Sequence, residues 1–304
     1  MKRYLEYLPL MEYGLPYPFD FQQCLDYMAR SQYECLYRTD SSGVNRLIRV
    51  GMEKRLFRIT CPGDRVMQIQ LLQGNPLTGV ELEEVTQYMK DWFDLNRDLD
   101  PFIQLAQSDP LIGPVVDRFA GLRIVGIPDL FEALCWAIVG QQVNLTFAYK
   151  LKQRLTEQYG EVAEWEGATY RMFPRPERFA HVSIEQLCTL QLTRNKAMAI
   201  LATASRMNSG QLTREGLLAL NDPDSVDKEL TSIRGIGPWT AQYVRMRCLG
   251  DPAAFPVGDV GLQNAVKQLL ALERKPTPDE LRTQFAGWAG WESYLTFYLW
   301  RTLY

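Results

Sequence analysis

Apolar positions fall into two regimes along the chain. Over residues 1–92 the pattern is mixed: FDFQQCLDYMARSQ has helical spacing behind the Pro-rich entry LPYPFD, with Asp20 placed to cap a helix that starts near Phe21. The stretch RLIRVGMEKRLFRITCPGDRVMQIQLL then gives three strand-like runs, separated by Gly-Met-Glu-Lys and Pro-Gly-Asp turns. ELEEVTQYMKDWFDL is amphipathic at helical spacing and leaves this region. From about Asn96 the period is helical almost throughout, from DPFIQLAQSD through DLFEALCWAIVG and RNKAMAILATASRMNSG to ESYLTFYLWRTL, with Gly, Pro, Asn or Asp at most joints. The pattern predicts an α+β fold: a small domain over 1–92, followed by an all-α body over 93–304. The first part is too short and too rich in hairpins for a doubly wound nucleotide fold.

Composition removes several functions. The 304 residues are 46% apolar and 23% charged, an ordinary globular balance. The start MKRYLEYLPLMEYG is broken by Glu6 and Glu12, which argues against a secretory leader, and no run reaches the roughly 18 apolar residues of a membrane span. The six cysteines form no C-x-x-C and read as reduced thiols of a cytoplasmic protein; their spacing gives no compact zinc site or iron–sulfur loop. With one histidine, His181, in a loop-like stretch, a Ser-His-Asp triad or a His-rich metal centre has little to be built from. A net charge of −3 counts against a broad basic face, so any contact with nucleic acid must be local and rely on backbone groups.

One such local device is present. TSIRGIGPWT places Gly235, Ile236 and Gly237 between two helical stretches, with Pro238 at the first position of the second helix, where its missing N–H costs nothing. A corner of this kind, over about 227–250, exposes free N–H groups and partial positive charge to an anionic oxygen such as a phosphate. Ile236 would pin the corner between the helices. By itself the corner reads first as an ordinary αα-hairpin that touches nothing. It is followed, after a loop over about 251–260, by FPVGDVGL, whose Asp259 stands where an aspartate would cap VGLQNAVKQLLALE.

The ordered segments LTSIRGIGPWTA and FPVGDVGL resemble the helix-hairpin-helix and Gly/Pro-rich loop with aspartate of the HhH-GPD DNA glycosylases, most like the 3-methyladenine DNA glycosylase II (AlkA-type) branch. ALCWAIVGQQVNLTFAYKLKQRL is similar to that family's first long helix with its I-x-G-Q-Q segment, WESYLTFYLW to its closing helix, and PYPFDFQQCLDYMA to the start of its small N-terminal domain, which is β-sheet-based and shaped like half of a TATA-binding protein. The resemblance implies duplex DNA with damaged bases as the partner, a monomer, no organic cofactor and no metal; whether the hairpin holds a monovalent cation, as in relatives, it leaves open.

The resemblance also implies residue roles. Asp259 takes the catalytic place, and at a helix N-terminus its carboxyl is expected to titrate below the ordinary value. Trp239, Tyr243 and Trp300 match aromatic pocket positions, and Tyr27 a further one; the same residues at helical spacing also read as plain core. A stacking pocket would gain about 0.5–2 kcal/mol from a positively charged alkylated base. Gly235, Ile236, Gly237 and Thr240 fall at the DNA-binding hairpin, with Gln141 and Gln142 in the loop opposite. Gln142 occupies the place of the side chain that fills the gap left by a flipped nucleotide, where a polar loop residue is the alternative. Arg194 and Lys196 begin a helix as phosphate contacts or as a solvated basic turn. Strand-cutting relatives have a lysine where this chain has Trp239, so base release alone is expected. Excision of oxidised guanine and non-catalytic recognition of damage are the competing functions.

Overall fold

The computed structural model describes residues 10–63 and 65–304, so the charged start of the chain, with the question of a leader, lies outside the described residues. The first region runs β1 (Leu10–Gly14), α1 (Phe21–Met28), β2 (Tyr37–Asp40), β3 (Gly43–Val50), β4 (Glu53–Thr60), β5 (Val66–Gln73) and α2 (Gly79–Phe93). Asp20 caps α1 as expected, its side chain accepting from the Gln23 N–H at 3.0 Å. The strands form one antiparallel sheet in the order β1-β5-β4-β3-β2. The three strand-like runs are its centre; β1 and β2 are the edges that the pattern did not announce.

The body follows as α3 (Asp100–Gln107), α4 (Gly113–Arg118), α5 (Leu130–Gly140), α6 (Leu145–Tyr159), β6 (Glu161–Trp165), β7 (Ala168–Met172), α7 (Ile184–Thr189), α8 (Arg194–Asn208), α9 (Arg214–Ala219), α10 (Pro223–Thr231), α11 (Pro238–Arg247), α12 (Val260–Leu269), α13 (Pro278–Gln284) and α14 (Glu292–Arg301). Ten of the eleven residues of α5 are buried, as befits a helix apolar all round, and α6, α8 and α11 pack against it. No helix among the described residues is long and apolar enough to cross a membrane.

The body is not wholly helical. β6 and β7 form a hairpin that covers the outer face of the five-stranded sheet, where Tyr170 packs with Leu47, Leu56 and Leu72. Strand residues alternate in direction, so β3 gives Val44, Ile48 and Val50 to the main core and Leu47 to this second cluster. The main core itself is continuous from Phe57 and Trp92 to α14.

Two buried ion pairs join the sheet region to the central helices. Arg46 of β3 meets Glu132 of α5 at 2.8 Å, and Glu34 meets Lys152 of α6 at 2.7 Å. Glu34 also accepts from the N–H groups of Cys35 and Leu36, at 2.8 and 2.9 Å.

Candidate active site

The corner between α10 and α11 forms as its residues dictate. Gly235 has φ +94°, and a Cβ there would stand 2.6 Å from the Cβ of Ala199 on α8, so both backbone conformation and packing require glycine. Ile236 is buried under the turn. Gly237 is the N-cap of α11, at φ −100°, and nothing lies within 4 Å of where its Cβ would be. The chain can therefore be approached closely at Gly237, and the first-turn N–H groups that follow, those of Trp239 and Thr240, have no acceptor within the helix. Gly235→Ala should lose roughly 1–3 kcal/mol of folding stability and Gly237→Ala a few tenths, checked by denaturant unfolding of both.

Asp259 is the N-cap of α12, and its carboxylate is fixed by three donors. Oδ1 accepts from the Leu262 N–H at 2.7 Å and from the Trp300 indole at 2.8 Å; Oδ2 accepts from the Trp239 indole at 3.1 Å. The opening of α11 and the end of α14 thus meet on one carboxyl group. Its pKa is raised, not lowered: removal from water outweighs the N–H groups of Leu262, Trp300 and Trp239 that favour the anion. The expectation from the helix terminus had the wrong sign because it counted the dipole and not the surrounding indoles and chain, which exclude solvent.

Beside this carboxylate opens a cleft of about 1210 Å³, bordered by the hairpin, the α5–α6 loop and α14. The rings of Trp239, Tyr243 and Trp300 stand in series along it, 5.7 and 6.0 Å between centroids. Deeper in, the Trp136 indole donates to the Tyr243 hydroxyl at 2.7 Å, and Arg247 donates to the hydroxyls of Tyr243 and Tyr27 at 2.9 Å each. Burial pushes the Tyr243 phenol up to about 12, so it stays neutral. Tyr27 lines the cleft, but its ring is packed against the Arg30 guanidinium, 3.8 Å from the centroid, and against Phe297 at 4.5 Å.

The loop opposite the hairpin is tied to it. Gln141 donates from Nε2 to the Gly235 carbonyl at 2.9 Å and to the buried Thr240 hydroxyl at 3.0 Å, so these two predicted DNA contacts are engaged with each other. Gln142, the next residue, is exposed on the cleft rim with φ +54°. Arg194 is exposed and paired with Glu185 at 3.1 Å. Lys196 is neither a phosphate contact nor a solvated turn residue: its amine is buried and donates to the Val139 carbonyl at 2.9 Å, at the end of α5, where orphan carbonyls attract a cation.

Sequence reasoning passed over Trp136, Arg30 and Arg247 in the cleft, and the exposed Arg234 beside Gly235. For Arg247 a signal existed: Trp239, Tyr243 and Arg247 follow at i, i+4 and i+8, one face of one helix. Arg30 and Trp136 come from α1's end and α5, and no spacing relates them to α11.

A family model described as HhH-GPD superfamily base excision DNA repair protein matches residues 135–290, and one described as the N-terminal domain of 8-oxoguanine DNA glycosylase matches 18–134. A DNA-3-methyladenine glycosylase of Bacillus subtilis is 44% identical over 95% of this chain and 96% of its own length. The solved 3-methyladenine DNA glycosylase of Archaeoglobus fulgidus shares the fold, with a TM-score of 0.82 at 22% identity over 95% of this chain and 97% of that one. The 8-oxoguanine glycosylase/lyase of Clostridium acetobutylicum, solved with double-stranded DNA, shares it at TM-score 0.73 and 19% identity, over 93% and 91%. With its glycine corner, its caged aspartate and a family match across more than half its length, the chain belongs to the HhH-GPD superfamily of base excision DNA repair proteins.

Proposed function

We propose that this protein hydrolyses the N-glycosidic bond of alkylated bases in duplex DNA, 3-methyladenine among them, and leaves an abasic site with the strand intact. The observation that carries the proposal is the carboxylate of Asp259, held between two indoles at the edge of an aromatic cleft and beside a helix N-terminus open to phosphate. The Bacillus relative's name supports the substrate class.

The chemistry follows from the parts. The hairpin N–H groups and Arg234 hold a phosphate of the damaged strand, while Gln142 stands at the rim to fill the gap left by the extruded nucleotide. The base enters between Trp239, Tyr243 and Trp300. As its bond to the sugar breaks, positive charge develops on the deoxyribose, and ionised Asp259 stabilises that charge and orients or deprotonates the attacking water. The two indoles keep the carboxylate aimed and can give up no proton to it at neutral pH. Trp239 offers no amine to the sugar, so no Schiff base forms. One chain supplies every part, which suits a monomer acting on DNA within the cell. The carbonyls of Ile233 and Gly235 accept from Ile236 and Gln141 yet keep a second lone pair each, so a monovalent cation at the hairpin would displace neither bond.

The test is to incubate methylated duplex DNA with the purified protein, measure free 3-methyladenine, and add borohydride to a parallel reaction. Free base without a covalent protein–DNA adduct is expected. No release from any alkylated duplex would end the proposal; a trapped adduct would replace hydrolysis by lyase chemistry and favour the oxidised-guanine reading.

A further inference from the structure

The cleft holds two positive charges that the proposed chemistry does not use. Arg247 donates from Nε to the Val125 carbonyl at 2.8 Å and from Nη1 to two tyrosine hydroxyls; Arg30 donates from Nη1 to the Tyr27 carbonyl at 2.7 Å and has its guanidinium carbon over the Tyr27 ring, 3.8 Å from the centroid. Both line the cleft, and among the described residues neither is ion-paired with a carboxylate. A guanidinium has five N–H donors, and the remaining nitrogens of Arg30 bond to no protein atom without being sealed from solvent. The guanidinium is planar, and its contact with the Tyr27 ring restrains where those donors stand.

We infer that Arg30, backed by Arg247, is a specificity-determining residue of the base pocket: its free N–H groups select neutral damaged bases that present a ring carbonyl, and its charge weighs against bases with a fixed positive charge. The inference rests on the glycosylase reading proposed above and deepens it. A carbonyl oxygen turned toward the guanidinium receives a charge-assisted hydrogen bond. An alkylated purinium meets the aromatic faces of Trp239, Tyr243 and Trp300 favourably but faces two like charges beneath them. The two kinds of base are therefore balanced against each other through one residue of the pocket lining. Arg247, enclosed by two hydroxyls and a backbone carbonyl, is the poorer site to vary, since its loss would leave the Val125 carbonyl and the Tyr27 hydroxyl unpaired and the Tyr243 hydroxyl with the Trp136 indole alone.

The experiment measures single-turnover release of hypoxanthine and of 3-methyladenine from otherwise identical duplexes, by the parent protein, Arg30→Met and Arg30→Lys, with thermal unfolding of each. Comparing the ratio of the two rates between variants cancels the intrinsic lability of each bond. Arg30→Met, which removes charge and donors at similar length, should slow hypoxanthine release about tenfold or more and speed 3-methyladenine release. Arg30→Lys, which keeps the charge, should hold the ratio nearer the parent's. A parallel fall of both rates in Arg30→Met would reduce Arg30 to a packing residue, and an unchanged ratio would remove it from specificity. A parent protein that releases 3-methyladenine but no hypoxanthine overturns this inference alone; one that releases neither base overturns the glycosylase reading beneath it.

Discussion

Asp259→Asn is expected to lower single-turnover base release by about 10²–10³-fold while leaving the fold and the affinity for abasic duplex largely in place. The geometry separates the two effects. An asparagine can keep its oxygen at the Oδ1 position, where it still accepts from the Leu262 N–H and the Trp300 indole, and Asn caps a helix as well as Asp. Its amide group then replaces Oδ2 opposite the Trp239 indole, where two donors face each other and the anion is gone. At neutral pH the parent also bears the cost of an ionised carboxyl held away from water. Because the folded-state pKa of Asp259 is raised, its proton stabilises the fold at low pH, and that contribution is lost as pH rises through the raised value. Asp259→Asn should therefore unfold no earlier than the parent at pH 7. In the proposed mechanism the sign is opposite: there the anion is the working form, so the parent's rate should fall on acidification at a pH above that of an ordinary aspartate. Rate–pH profiles and thermal unfolding of both proteins check this; activity of Asp259→Asn equal to the parent's would take the residue out of the mechanism.

Lys152→Met should cost about 3–5 kcal/mol of folding stability, the largest single effect expected away from the cleft. Lys152 and Glu34 are 6% and 7% exposed, and the amine reaches both carboxylate oxygens, at 2.9 and 2.7 Å. Burial alone would lift the Glu34 carboxyl, but Lys152 and the backbone N–H of Leu36 hold it below its ordinary value. In the parent the pair's contribution is therefore present above the unfolded-state pKa and lost as pH falls through the lowered one. Without the amine, a buried anion is left with only its backbone donors. The loss should be greatest near neutrality and shrink in acid, where Glu34 takes up a proton. Glu34→Gln combined with Lys152→Met should recover much of the stability, since no charge then remains to be hidden. Denaturant titrations of the single and double variants at two pH values decide it; equal stability of Lys152→Met and the parent would mean the pair contributes nothing.

The helices and the central strands could be read from the chain because their signals are local: period, caps and the Gly-Ile-Gly break. What escaped depends on partners distant in sequence. β1 and β2 are short edges whose residues are only partly buried, so alternation is weak in them. The β6–β7 hairpin turns on Glu166 and Gly167, both at positive φ, where a glutamate replaces the usual Asn or Asp of such a turn and hides it. Asp259, Trp239, Tyr243 and Trp300 could be singled out because the resemblance to a known family orders them along the chain, and the structure brings the four together at one cleft. Lys196 and the titration of Asp259 were misread because each is decided by enclosure, by Val139 in one case and two indoles in the other, and enclosure leaves no mark on the residues nearby in sequence.

The bond from Gln141 to the glycine corner joins two grips into one jaw whose spacing is set before any duplex arrives. A jaw braced in this way would leave more of the bending to the nucleic acid. Pairs that are already loose yield to it at smaller cost than sound ones, so part of the discrimination would be made in the helix of the DNA, ahead of any chemistry in the cavity.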